Sequence, residues 1–257
     1  NPTTGNGNAI RRIFAMGGGG FSSEEPQESH FGALDRYFFA LAGRARPRVL
    51  FVPTASGDAE GYVERFYASM RAFEVTATHL SLFRGPNADL RRHVLDADVV
   101  YVGGGNTRNL LVLWREWGLD RVLREAYERG IVLGGVSAGA IAWFDEAVTD
   151  SVAGELRRLP ALRWLSGSAC PHFDGEPLRR PEYLRFVGEG MPGGIALDDG
   201  AAALFENERL SACVASGPDA RVWRVEVGES GAFATPLPTR DLTSATPIPT
   251  RDFTKES

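Results

Sequence analysis

Ile131-Val132-Leu133-Gly134-Gly135-Val136-Ser137-Ala138-Gly139-Ala140 is the most informative segment of this 257-residue chain. It begins as a short apolar run of the kind that forms a strand buried on both faces. It then passes through Gly135-Val136-Ser137-Ala138-Gly139, a G-x-S-x-G pattern, and the spacing predicts a helix running on through Phe144. A strand, a sharp turn and a helix hold a serine in a strained backbone conformation, so only small residues fit on either side. Its hydroxyl then stands at the head of a helix, where free N–H groups favour developing negative charge. A serine that merely caps the helix is the plainer alternative, and the flanking strand and helix weaken it.

Outward from this elbow, the first 140 residues alternate β-branched or apolar runs with amphipathic stretches, the pattern of a parallel sheet with crossover helices. Arg12–Met16, Arg48–Val52 and Val99–Val102 read as further buried strands. Leu34–Leu41, Tyr62–Phe73, Thr107–Trp117 and Arg121–Arg129 read as helices. Three strands end in glycine turns, Gly17–Gly20, Gly103–Gly105 and Gly134–Gly135. Ligands of open α/β sheets sit beyond the carboxyl ends of the strands, so these turns mark the edge where chemistry belongs. Beyond Gly190 short strands follow at 194–197, 202–205, 211–215 and 221–227, an antiparallel edge near the C-terminus. The expected fold is therefore α/β, with a mostly parallel central sheet and helices on both faces. One domain spans residues 1–234. The segment 235–257 reads as an extended proline-rich tail, because Ala234–Thr243 nearly repeats as Ala245–Thr254. Docking of that tail on the site, with Asp241 or Asp252 imitating a substrate carboxylate, is a second reading of the repeat.

Composition narrows the function classes. A formal net charge of −5 gives no general attraction to nucleic acid or anionic membrane. Cys170 and Cys213 are too few for a disulfide framework, and no apolar run approaches a membrane span. A soluble, cytoplasmic protein is expected, with a homo-oligomer left open. No His, Cys and carboxylate cluster has metal-ligand spacing, and neither glycine turn fits a phosphate loop or a dinucleotide fingerprint. No cofactor or metal is expected.

A serine nucleophile needs a base, and among four histidines only His172 follows the serine, in Cys170-Pro171-His172-Phe173-Asp174. Pro171 holds Cys170 extended, so His172 leaves a strand end. A carboxylate should fix the imidazole tautomer, and Asp198, Asp199 and Asp150 are candidates. Asp199 ends an apolar strand beside a glycine, and alternation along the strand lets only one of the pair 198 and 199 face the site. The N–H of Ala138 follows the nucleophile directly. A second oxyanion donor should come from the turn Gly103-Gly104-Gly105-Asn106-Thr107, whose Asn106 and Thr107 are also candidate substrate contacts.

Taken together, Val102-Gly-Gly-Gly-Asn-Thr107, Gly135-Val-Ser-Ala-Gly-Ala140, Pro171-His-Phe173 and Leu197-Asp-Asp-Gly200 resemble the dipeptidase E family of aspartyl dipeptidases, with cyanophycinase a more distant relative. The resemblance covers most of residues 12–228. It implies a fold like that of class I glutamine amidotransferases, with Ser137 as nucleophile, His172 as base, and Gly105 and Ala138 as oxyanion donors. The family's third residue, a Glu, falls on Asp199, one methylene shorter, which keeps Asp150 as the alternative acid. The arginine that reads the substrate's aspartate falls on Arg180, with Arg179 and Arg185 nearby. The implied reaction is hydrolysis of Asp-X dipeptides, with a small peptide as substrate. A same-fold serine peptidase without aspartate specificity, an α/β-hydrolase esterase and a non-catalytic binding protein are the competing readings.

Overall fold

A computed structural model of the chain describes residues 9–22, 32–84, 89–152 and 154–244. Its strands are β1 (Arg12–Met16), β2 (Arg48–Val52), β3 (Thr76–His79), β4 (Val99–Val102), β5 (Val132–Val136), β6 (Phe144–Val152), β7 (Glu155–Pro160), β8 (Leu165–Cys170), β9 (Gly194–Leu197), β10 (Ala201–Glu206), β11 (Arg209–Ala215), β12 (Val222–Gly228), β13 (Gly231–Pro236) and β14 (Arg240–Asp241). Its helices are α1 (Ala33–Ala40), α2 (Glu60–Met70), α3 (Leu90–Leu95), α4 (Thr107–Trp117), α5 (Leu119–Glu128), α6 (Ala138–Ile141) and α7 (Arg179–Gly188).

The central sheet has eight strands in the order β14-β11-β10-β1-β5-β4-β2-β3. The run β1-β5-β4-β2-β3 is parallel throughout. β10 and β11 extend it as an antiparallel edge, as the short strands after Gly190 suggest. β1, β5, β4 and β2 are apolar on both faces because helices cover both, whereas the edge strand β3 is half exposed. Phe14, Phe38, Phe51, Phe66 and Tyr101 pack on one face beneath α1 and α2. Ile13, Leu50, Val100, Trp114 and Leu123 pack on the other beneath α4 and α5. Trp114 is fully buried, whereas Trp117, three residues on along the same helix, is exposed.

Three expectations are corrected. The helix after Ser137 does not reach Phe144; α6 ends at Ile141 and Phe144 opens strand β6. The apolar residues from 141 to 148 suit either a buried helix or a strand, and tertiary packing chooses the strand. The Trp143 side chain lies 5.8 Å from Trp114 and 5.2 Å from Trp164, ring centre to ring centre, while its indole N–H donates to the Gly139 carbonyl. β6 then pairs with β7 and β8.

Secondly, β6 and β8 belong to a further sheet of six strands, β13-β12-β9-β8-β6-β7, which the reading of a single sheet did not foresee. The second sheet shares the core of the first, since Phe144, Ala169 and Leu197 pack in one cluster with Ile13 and Leu133.

Thirdly, the segment read as a tail from residue 235 is part of the fold as far as Ser244. β13 pairs with β12 up to Pro236, and β14 pairs with β11. The Leu237 N–H donates to the Val222 carbonyl and that of Leu242 to Ala215. Proline tolerates this because both strands are sheet edges. Asp241 accepts from the N–H and hydroxyl of Thr243 in a local turn. The second repeat copy, including Asp252, lies outside the described residues.

Candidate active site

β5 delivers Val136 to the carboxyl edge of the sheet, and the chain reverses sharply at Ser137, with φ 55° and ψ −113°. A β-carbon is strained in that region. The surroundings enforce it. The Ser137 N–H donates to the Met16 carbonyl, and its own carbonyl accepts from Ala140 and Ile141. A Cβ at either Gly135 or Gly139 would collide with the Val102 carbonyl. The two glycines of the G-x-S-x-G pattern therefore let the elbow lie directly against β4.

β8 and β9 run parallel in the second sheet and end side by side. Cys170-Pro171 closes β8, and His172 follows at φ 52°, a left-handed conformation. The His172 Nε2 lies 2.9 Å from Ser137 Oγ, and its Nδ1 lies 2.6 Å from Asp199 Oδ1. Asp199 sits just past β9, bridged to Gly18 of the first glycine turn. Asp174 steadies it by accepting the Asp199 N–H at 2.8 Å. The Gly18 and Gly175 positions have no room for a side chain, since a Cβ at either would overlap the Asp199 carboxylate.

The neighbouring Asp198 faces the other way. It accepts from the Trp223 indole N–H and the Arg221 N–H, and burial pushes its carboxyl above the usual range. Asp150 stands apart from the histidine, 3.7 Å from the buried Arg179 guanidinium. Arg179 also grips Glu176 and the Val148 carbonyl, and Arg185 pairs with Glu182 and Glu189.

On the other side of the elbow, the Gly103–Gly105 turn passes close enough that a Cβ at Gly104 would touch Ser137 Cβ at 3.3 Å. Gly105 adopts φ 133°, which a side chain would not tolerate against the Ala55 carbonyl. The Gly104 N–H donates to the Tyr62 hydroxyl at 3.2 Å, and that hydroxyl also bonds Ser22. Among the described residues, the N–H groups of Gly105 and Ala138 have no protein acceptor.

The remaining candidates do other work. Asn106 caps α4 by accepting from the Asn109 N–H, and its amide donates to the Ser151 carbonyl. Thr107 is buried against Thr149, and its N–H donates to the Ser151 hydroxyl. Neither side chain lines the cleft, which corrects their reading as substrate contacts: both are used up in holding the start of α4. Arg180 lays its guanidinium over Trp223 (4.5 Å) and Phe173 (5.1 Å), outside the lining.

The cleft above Ser137 has a volume of about 1210 Å³ and is lined by Ser137, His172, Asp199, Gly18, Gly104 and Gly105 among others. Tyr62, Arg65, Asp174 and Asp219 also line it, and sequence reasoning singled out none of them. Tyr62 and Arg65 carry no local motif beyond their place on one helix. Beneath the first glycine turn Asp35 is fully buried, accepting from the Phe21 N–H and the Tyr101 hydroxyl. Burial raises its carboxyl to about 6. No three His, Cys, Asp or Glu among the described residues are placed to hold a metal ion, and no described helix is long and apolar enough to cross a membrane.

This geometry, an elbow serine hydrogen-bonded to an imidazole whose other nitrogen meets a carboxylate, can be set against known proteins. Residues 13–213 match the profile of peptidase family S51. The chain belongs to that family. It is 49% identical to Uncharacterized peptidase YgaJ of Bacillus subtilis over 234 residues, 91% of this chain and all of that protein. It is 28% identical to Uncharacterized peptidase Lmo0363 of Listeria monocytogenes, over 51% of this chain and 68% of that one. Among solved structures, a peptidase from an acI-B1 Actinobacterium shares the S51 chain's fold with a TM-score of 0.64 at 18% identity, covering 89% of this chain and 95% of that one. A Listeria monocytogenes protein whose name likens it to peptidase E superposes with a TM-score of 0.58 at 19% identity, over 79% and 98%. The fold common to these chains and the S51 profile agree on a mixed α/β peptidase scaffold.

Proposed function

We propose that this S51 chain is a serine peptidase that hydrolyses short peptides, Asp-X dipeptides with an N-terminal aspartate first among them. The observation that carries the reading is the unbroken line Ser137 Oγ, His172 Nε2, His172 Nδ1, Asp199 Oδ1, at 2.9 and 2.6 Å. Ser137 Oγ attacks the scissile carbonyl while His172 Nε2 takes its proton. Asp199 holds the Nδ1–H tautomer and stabilises the imidazolium that forms. The N–H groups of Ala138 and Gly105 receive the oxyanion. His172 returns the proton to the leaving amine, and the C–N bond breaks. A water then attacks the acyl ester by the same route, His172 taking the water's proton and giving it to Ser137 Oγ as the acid product leaves. The substrate class comes from the resemblance of the four motifs to aspartyl dipeptidases.

A second reading keeps the serine peptidase and drops the aspartate requirement. It is favoured by the place of Arg180, stacked on Trp223 outside the cleft lining. Hydrolysis of an Asp-X and an Ala-X dipeptide by wild type and Ser137→Ala, beside fluorophosphonate labelling, separates the readings. Asp-X cleavage alone, lost by about 10⁴-fold or more in Ser137→Ala, is the expected result. Equal cleavage of both dipeptides removes the aspartate preference. An unlabelled Ser137 and no cleavage in a folded protein overturn the peptidase reading in favour of a binding protein.

A further inference from the structure

We infer that Arg65, on α2, is the specificity-determining residue that receives a carboxylate on the acyl residue of the substrate; this rests on the serine-peptidase reading above. Three observations converge. Arg65 is the only arginine among the described residues that line the cleft. Its guanidinium lies 5.2 Å from the centre of the Tyr62 ring, and no described carboxylate comes within ion-pair distance of it. Many other arginines among the described residues, including Arg179 and Arg185, are engaged by acids. A planar fork resting on an aromatic face, with its N–H donors unused by any described residue, is pre-organised to grip a carboxylate with two parallel hydrogen bonds.

The position fits the chemistry. Strand order β1-β5-β4-β2 places the β1 turn and the β4 turn on opposite flanks of Ser137. His172 and Asp199 lie on the β1 flank beside Gly18. Because His172 protonates the leaving amine, the leaving residue occupies that flank, and the acyl residue extends toward Gly104, Tyr62 and Arg65. Charge in the cleft runs in the same sense. Asp199 and Asp174 accompany His172, where a substrate carboxylate would be repelled, and Arg65 lies over Tyr62, whose hydroxyl meets the Gly104 N–H. The Tyr62 ring beneath the guanidinium carries, through its hydroxyl, the Gly104 N–H next to Ser137. One helix thus offers both the carboxylate receptor and a support for the turn beside the nucleophile.

The test compares Asp-X, its neutral isostere Asn-X, and Ala-X with wild type, Arg65→Ala, Arg65→Lys and Arg180→Ala, with fluorophosphonate labelling of Ser137 in every variant. Arg65→Ala is expected to lower kcat/KM on Asp-X by about 10²-fold, leaving Asn-X, Ala-X and the labelling rate within a few-fold of wild type. Arg65→Lys should recover part of the loss, and Arg180→Ala should change Asp-X and Asn-X alike. Equal losses on Asp-X and Asn-X in Arg65→Ala would mean that Arg65 only supports Tyr62, and would overturn the assignment. So would an unchanged Asp-X rate in that variant, or a wild type that labels at Ser137 yet prefers neutral substrates. A folded wild type that neither labels nor cleaves brings down this assignment and the peptidase reading together.

Discussion

Two glycine turns flank Ser137, alike in composition and opposite in use. At Gly18 and Gly20 the turn after β1 is glycine because side chains from elsewhere need its space. The Asp199 carboxylate occupies the volume of a Cβ at Gly18, and Asp35 crowds that of Gly20. At Gly104 and Gly105 the turn after β4 is glycine because backbone comes close to Ser137, as at Gly104, or adopts a conformation closed to side chains, as at Gly105. The first turn therefore seats the hydrogen-bonded pair of His172 and Asp199, and the second lines the cleft with backbone. The same residue type in the same topological place acquires its purpose from what packs against it.

The comparison can be broken most severely at the acid. Asp199→Asn keeps the shape but favours the wrong imidazole tautomer, and kcat should fall by about 10⁴-fold with little change in thermal stability. Steady-state kinetics beside a melting curve would show it. A fall of less than about tenfold would move the carboxylate role elsewhere, with Asp150→Asn as the control. Gly18→Ala attacks the same pair from the turn. It should displace Asp199 by the order of an ångström and cost about 10²-fold in kcat, while Ser137 stays in place. Its melting temperature and activity, measured together, separate a displaced acid from a damaged fold.

Asp35 probes the support of the first turn through pH. Its folded-state value of about 6 lies above the ordinary 3.8. Between those values the folded chain keeps a proton that the unfolded chain has released, so this group's contribution to stability declines as pH rises through the window. The full penalty, about 3 kcal/mol, is present above pH 6. Asp35→Asn removes it. The difference in unfolding free energy between variant and wild type should therefore rise in the variant's favour from pH 4 to pH 6 and then level off. Denaturant titrations across that range measure it, and a pH-independent difference would contradict the raised value.

The mildest prediction concerns the second turn. Tyr62→Phe keeps the ring under Arg65 and removes the acceptor of the Gly104 N–H. A roughly tenfold lower kcat with nearly unchanged KM is expected, with slower fluorophosphonate labelling of Ser137. A change confined to KM would place Tyr62 in substrate binding alone.

How much of this was legible before folding varied with the range of the interaction. The parallel strands β1, β2, β4 and β5 were readable because burial on both faces leaves a continuous apolar run. The second sheet was not, because β6 and β7 are half-buried, with patterns that neither alternate cleanly nor run apolar throughout. The first copy of the proline-rich repeat looked like a solvated tail, yet sheet edges take up such segments where only some N–H groups are needed. Asn106 and Thr107 looked like substrate contacts because they follow a glycine turn at the active edge. The Asn106 side chain instead caps α4 through the nearby Asn109 N–H, while that of Thr107 is buried against Thr149, a contact that arises only once β6 is beside it.

The sequence by itself determined the elbow. Small residues at 134, 135, 138 and 139 around Ser137, between an apolar strand and a helix start, admit that strained turn through steric contacts within a few residues and with the adjacent strand. It also left His172 as the candidate base, the one histidine that follows the serine. Tertiary structure alone decided which acid meets that histidine, which face Asp198 turns away from, and which arginine stands in the cleft. Those choices rest on contacts between residues 23 or more positions apart, set by how two sheets share one core, and no local preference along the chain encodes them.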